Sequence, residues 1–393
     1  MSRPRSLVVR GPFRGASGYD HHVREFVRAF ARRGMRQQLL DIPEWGPTRL
    51  PESSRDPWFE TLGKPVPAAA VVHFCMPHQV RVQPGRLNVN YTMFEASRIP
   101  AAWAEHNRRH DLVLLPTESS RNAWLAAGFP DERIRLCPLG VDAERFRPDA
   151  VPLDLTDRRG RRVAEYRIRV LNVSEPGPRK NLAALLRVWI EATTPKDDAI
   201  LVMKLGRVST SRTVGLMRDL ALAERAIGKS QRESAPIVFV DRILADGELP
   251  SVFAAATHYW SMSHGEGWDQ PMAEAAATGL GLLAPAHSAY PMYLDQSVAR
   301  MIPSRAVPAV VEGDAGLARL FAGATWWEPD ALEAAAALRE AIDGGGRRVS
   351  ARDRMVAGFT WDRAAARLIE VLDELSPRRG VLDEPHLRRR RAR

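Results

Sequence analysis

The segment SHGEGWDQPMAEAAATG, residues 263–279, places two carboxylates, Glu266 and Glu274, on either side of a helix start. Pro271 suits the first helical turn, where its missing N–H is not needed. Asp269 or Gln270 is then the cap, and Glu274 falls in the first turn of an alanine-rich helix. The free N–H groups at such an end attract an anion, most often phosphate. Ionised carboxylates only accept hydrogen bonds, so neighbouring sugar hydroxyls are natural donors to them. A phosphate seat flanked by two acids matches a ligand with hydroxyl-rich groups on both sides of a diphosphate, the layout of a nucleotide sugar. The same spacing also fits a plain first-turn acid and an exposed loop residue. Gly265 and Gly267, which permit close backbone approach to a ligand, favour the first reading.

These acids must be positioned by the rest of the chain, and the pattern around them is regular. Its 393 residues are 45% hydrophobic, enough for two domains with proper cores. In the first half, SLVVRG, AAAVVHFC, LNVNYTMF and DLVLLPT read as buried strands. Val23, Phe26, Val27 and Phe30 form an amphipathic helical stripe between them. The polar stretch VPLDLTDRRGRR reads as a linker. A second series follows, with strands at RIRVLNVS, AILVMKLG, PIVFVDRI and HYWSMS and helices between them. Two strand–helix series predict an α/β protein of two Rossmann-like domains with parallel sheets facing across a cleft, and ligands bind beyond the carboxyl ends of such strands. The expected boundaries are 1–150 and 166–357 for the domains, 151–165 for the linker, 358–376 for a final helix and 377–393 for a basic disordered tail.

The net charge is +10, and half of it sits in the arginine-rich tail. That tail reads as solvated, or as a weak, salt-sensitive contact with anionic lipid. The absence of an aromatic-interleaved basic patch argues against nucleic-acid binding. Cys75 and Cys137 lie in apolar runs, which fits a reducing compartment. With no stretch patterned as a signal peptide or bilayer span, the expectation is a soluble cytoplasmic protein, peripheral to the membrane at most. The chain has no P-loop string, no G-x-S-x-G elbow and no Asp-x-Asp triplet. His21 and His22 belong to no recognisable metal-ligand motif, and no metal site is expected.

Residues 263–279 resemble the E-x7-E segment of retaining glycosyltransferase family 4, whose members have the GT-B fold. The likeness extends over roughly residues 5–375: FRGASGYDHHVREFVRAFARRG resembles the family's N-terminal glycine loop and helix, GVDAERFRP the end of its first domain, and RKN, residues 179–181, the opening of its second. The resemblance implies a retaining, metal-independent transfer of sugar from a UDP- or GDP-linked donor to an acceptor hydroxyl, with no further cofactor. It assigns Glu274 to the ribose hydroxyls. Glu266, with the following backbone of Gly267 and Trp268, faces the donor sugar. Lys180, supported by Arg179, neutralises the diphosphate. Gly15 and Gly18 bring the N-terminal loop to the phosphates, and the backbone up to Ile243 lies near the base. His264 stands beside Glu266, either at the ligand or as an ordinary loop residue.

Departures from the family pattern shift some of these roles. Glu175 stands where an arginine is common, which places more weight on Lys180, Arg179 and Lys204. Asp269 replaces a glycine. The stretch TMFE, residues 92–95, lacks the usual first-domain histidine, and Glu95 is the candidate replacement. His73 and His78 read as ordinary strand-end or loop histidines. These departures keep two alternatives in view, a sugar-nucleotide-binding or assembly protein without turnover and a sugar-nucleotide epimerase.

Overall fold

A computed structural model describes residues 6–46, 50, 52–205, 210–242, 244, 247–344 and 349–382. Two six-stranded sheets organise the chain. The first contains β1 (Ser6–Arg10), β2 (Arg36–Leu40), β3 (Ala70–Phe74), β4 (Leu87–Tyr91), β5 (Leu112–Leu115) and β6 (Ile134–Leu136), in the order β2-β1-β3-β4-β5-β6. The second contains β7 (Ile168–Ser174), β8 (Ala199–Leu205), β9 (Ile237–Val240), β10 (His258–Trp260), β11 (Gly281–Pro285) and β12 (Arg300–Ile302), in the order β12-β11-β10-β7-β8-β9. Every pairing within them is parallel. Helices cover both faces, so β3, β4, β5 and β8 are buried along their whole length; β5 is wholly apolar, β3 and β8 each bury one polar residue, and β4 buries Asn88 and Asn90.

The helix Gly18–Arg32 starts on a capping box between Ser17 and Asp20 and buries the predicted stripe of Val23, Phe26, Val27 and Phe30. Phe26 meets Phe74 and Tyr91 on the first sheet and Trp361 at the start of the last helix, at ring separations of 5.0, 5.3 and 5.6 Å. That last helix, Trp361–Leu382, lies along Gly18–Arg32, and Arg32 pairs with Asp362 at 3.0 Å. It therefore continues six residues into the segment expected to be a disordered tail. Arg378 and Arg379 are good helix formers, and a basic run by itself does not end a helix. Residues 383–393, which carry the rest of the expected basic tail, lie outside the described residues. Among the described residues, no helix is long and apolar enough to cross a membrane.

Six strands were not expected, among them β2, β6, β11 and β12. β2 has the sequence RQQLL, too polar to stand out as a strand. β13 (Ser304–Pro308) and β14 (Thr325–Pro329) form an antiparallel hairpin outside both sheets. This hairpin reaches the first half of the chain. Ser97 and Thr325 exchange hydrogen bonds of 3.0 and 2.9 Å, and Phe94 packs on Phe321 with ring centroids 5.5 Å apart. A second tie runs through Val141, which bridges to Thr360, and Gly140, where an added Cβ would lie 2.2 Å from the Trp361 nitrogen. A third tie passes through the candidate site.

Candidate functional site

Backbone strain marks the site first. Among the described residues only three non-glycine positions have positive φ: Asn181 at 51°, Asp269 at 59° and Ser288 at 47°. Such strain persists only where the surroundings enforce it, and it gathers at functional sites. Asn181 follows Lys180 and opens the helix Leu182–Ala192. Asp269 precedes the helix Gln270–Thr278. The Ser288 hydroxyl accepts a hydrogen bond from the Glu266 N–H at 3.1 Å. All three therefore surround one carboxylate.

That carboxylate is Glu266, buried and held by both predicted cations. Its Oε1 lies 2.6 Å from Lys180 Nζ and its Oε2 lies 2.8 Å from Arg179 Nη1. Arg179 also donates to the Gly265 carbonyl at 2.6 Å, while the Arg179 carbonyl accepts from the His264 N–H at 2.8 Å. Burial acts to raise the Glu266 pKa, but Arg179 and Lys180 outweigh it and hold the carboxyl well below the usual range. Burial likewise opposes the charge of Arg179, and Glu266 and then Glu95 overcome it. Glu95 is half-buried, and burial raises its pKa against the pull of Arg179. The structure thus brings Glu266, Lys180, Arg179 and Glu95 together. Glu266, expected to face a sugar, is here the counter-ion of the two phosphate-binding candidates, because no other group neutralises them as closely.

The flanking glycines serve packing between the halves rather than open space for a ligand. A Cβ on Gly265 would lie 2.2 Å from the Glu95 carbonyl oxygen, and one on Gly267 would lie 2.6 Å from Met93 Cγ. The loop therefore lies directly against residues 93–95, the third tie between the halves. Trp268 is also a core residue, packed on Tyr293 and Phe359 at 4.9 and 5.8 Å, with its carbonyl accepting from the Tyr293 hydroxyl at 2.9 Å. Its large apolar ring seeks the core, so its side chain does not face the cleft.

Glu274 is the fifth residue of the helix Gln270–Thr278, past the first turn expected for it because the helix starts at Gln270, and it is buried with His21 Nε2 from the first half 3.8 Å from its Oε1. The N-terminal loop is tied to its own helix: the Gly15 N–H donates to Asp20 at 2.6 Å and the Gly15 carbonyl accepts from Arg24 at 2.8 Å. Gly18 is the exposed first residue of that helix, and a side chain there would meet nothing within 4 Å. His264 turns to the hairpin, bonding Glu328 at 2.6 Å and stacking on Trp326 at 5.4 Å. Lys204, at the end of β8, bonds the Leu205 carbonyl. Burial and then Arg242 lower its pKa, while Asp241 and Glu175 oppose them. Ile243 lies outside the described residues.

Asp269 holds the predicted cap position, but its side chain makes no capping bond. Its Oδ2 instead accepts from the Tyr290 hydroxyl at 2.8 Å, and that hydroxyl lies 2.7 Å from Ser261 Oγ. Burial and then the charge of Glu266 raise the Asp269 pKa. Ser288, Tyr290 and Glu328 were missed in the sequence. They lie 21 to 64 residues from the atoms they bond, and no local spacing marks them.

This arrangement of two facing parallel sheets with a charged loop and helix end between them is the GT-B fold of glycosyltransferases. No family model and no curated protein matches the chain. Among solved structures, it is similar to a glycosyltransferase from Rickettsia africae at TM-score 0.64 and 11% identity, over 95% of this chain and 99% of that one. It is equally similar, at TM-score 0.64 and 15% identity, to sucrose-phosphate synthase from Thermosynechococcus elongatus, over 95% and 100%. HepE from Anabaena, solved in complex with UDP-glucose, aligns at TM-score 0.56 and 13% identity, over 94% and 100%. At these identities the likeness establishes the fold.

Proposed function

We propose that the protein is a retaining, metal-independent glycosyltransferase of the family 4 type, moving a sugar from a nucleoside-diphosphate donor to an acceptor hydroxyl. The observation that carries this reading is the pairing of Arg179 and Lys180 on one buried carboxylate beside a helix start. A donor diphosphate would replace Glu266 as the counter-ion of both cations. Glu266, released but still buried, would then need hydroxyl donors, which the transferred sugar supplies. Glu274 exchanges His21 for the ribose. That the fold is shared with a structure holding UDP-glucose supports the donor class.

In the reaction the bond from the anomeric carbon to phosphate oxygen breaks, and its electron pair leaves with the diphosphate. Lys180, Arg179 and the N-terminus of the helix Gln270–Thr278 stabilise that charge. The acceptor oxygen attacks from the same face and gives its proton to the departing phosphate. Glu95, opposite Arg179, stabilises the positive charge on the ring. A cavity of about 320 Å³ lined by Phe13, Arg14, Arg24, Arg28 and Phe59, beside the N-terminal loop, offers the acceptor a place on the first half.

Thermal shift with UDP, GDP and ADP, each free and sugar-linked, tests the reading, because ligands of the folded state raise its melting point. Donor consumption with an α- or β-configured product matching the donor by NMR is the expected result. Binding without transfer or slow hydrolysis, for any acceptor, would leave a sugar-nucleotide-binding protein instead, and an altered free sugar nucleotide would mark an epimerase.

A further inference from the structure

We propose that Asp269 selects the donor by accepting a hydrogen bond from one hydroxyl of the transferred sugar; this rests on the glycosyl-transfer reading above. The side chain is only 6% exposed. One of its oxygens is satisfied by Tyr290 at 2.8 Å, and the other, Oδ1, is buried without a partner. Neither protonation state repairs this, since an ionised oxygen there lacks a donor and a protonated one lacks an acceptor. Buried polar atoms left in this condition call for an explanation.

Stability does not supply one. An aspartate at a helix start ordinarily keeps extended backbone and bonds the first-turn N–H groups. Asp269 does neither: its φ is +59° and its side chain makes no capping bond. Glycine would relieve the strain and leave no carboxylate to bury. The carboxylate also lies within the field of Glu266, Lys180 and Arg179, the groups that would hold the donor's diphosphate and sugar. An acceptor with an unpaired oxygen, three residues along the loop from Glu266 and within that field, requires a donor on the ligand, and the sugar next to the diphosphate is the part that bears hydroxyls. Ser261 and Tyr290 lock the carboxylate in place from behind, at 2.7 and 2.8 Å along the chain of bonds.

Asp269→Gly and Asp269→Asn test the assignment without endangering the fold, because both residues tolerate left-handed backbone. Calorimetry on wild type and variants would use UDP, GDP and ADP, free and linked to glucose, galactose, mannose and N-acetylglucosamine. Monodeoxy analogues of the tightest conjugate complete the panel. Wild type should bind one conjugate more tightly than its free nucleotide. Asp269→Gly should keep the nucleotide affinity, lose roughly tenfold or more of the conjugate affinity, and melt higher than wild type. One monodeoxy analogue should show the same loss on wild type and no further loss on the variant. Equal losses for nucleotide and conjugate, unchanged conjugate binding, or a conjugate no tighter than its nucleotide on wild type would each overturn the inference while leaving the transfer reading intact. If no nucleotide binds wild type, the transfer reading itself fails, and this inference fails with it.

Discussion

Glu266 reaches 86 residues back along the chain to bond Lys180 at 2.6 Å, and this buried ion pair is the centre of the candidate site. It joins the loop before β7's following helix to the loop after β10, so the phosphate-binding cations have defined positions even with a protein carboxylate as their counter-ion. A donor must compete with that carboxylate.

Lys180→Ala should lower the transfer rate by a factor of about one hundred to one thousand, the usual effect of removing one preorganised charge from a leaving group. Steady-state kinetics would check this. A loss confined to KM, with the turnover number unchanged, would show that Lys180 binds the ground state and transition state alike.

Glu266→Gln should destabilise the fold by about 3 kcal/mol, because it leaves two largely buried cations without their counter-ion. Urea denaturation would measure it. The Lys180 and Arg179 side chains retain 19% and 24% exposure, which places the expected cost at the lower end for a buried pair. Added diphosphate should restore part of the loss; an unchanged midpoint would contradict the central place given to this pair.

Acid should unfold the protein in two stages. Burial holds His22, His110 and His287 down at about 3 and His73 and His258 down at about 4, so each is neutral in the folded state. The unfolded chain binds more protons below about pH 6.5, and stability is therefore full above that value and falls from there toward pH 4. Glu266 acts later: its depressed pKa contributes stability above the ordinary carboxylate value and loses it as pH falls toward about 2. Asp269, raised by burial, works in the opposite direction and gains as it protonates. Calorimetric melting from pH 8 to pH 4 should show a decline beginning near pH 6.5. A flat profile down to pH 5 would exclude the histidine contribution.

Gly265→Ala and Gly267→Ala should differ. The first drives a methyl group to 2.2 Å from the Glu95 backbone carbonyl, which cannot move alone; the second lies 2.6 Å from Met93 Cγ, which can rotate away, and 2.7 Å from Met93 Cβ, which moves only with its backbone. Overpacking of this kind costs about 1–3 kcal/mol, with Gly265→Ala at the upper end and Gly267→Ala below it. Comparison of melting temperatures would test the order. Equal effects would mean that the loop separates from residues 93–95 as a unit.

The apolar runs determined the two parallel sheets, because a strand covered on both faces is hydrophobic along nearly all its length, as in AVVHF and AILVMKL, which each bury a single polar residue. The helix start before Glu274 and the proximity of Lys180 to the site were also legible, through proline, glycine and basic residues whose local preferences are strong. Tertiary structure alone decided what each group faces. Gly265 permits close backbone approach, and the neighbour the fold brings there is Glu95; Trp268, expected to serve through its backbone, places its ring in the core. The β13–β14 hairpin, Ser288 and Tyr290 were invisible because they act across the fold, where spacing along the chain carries no information. Pairing a buried charge is a matter of distance in space, and only the folded chain sets that distance.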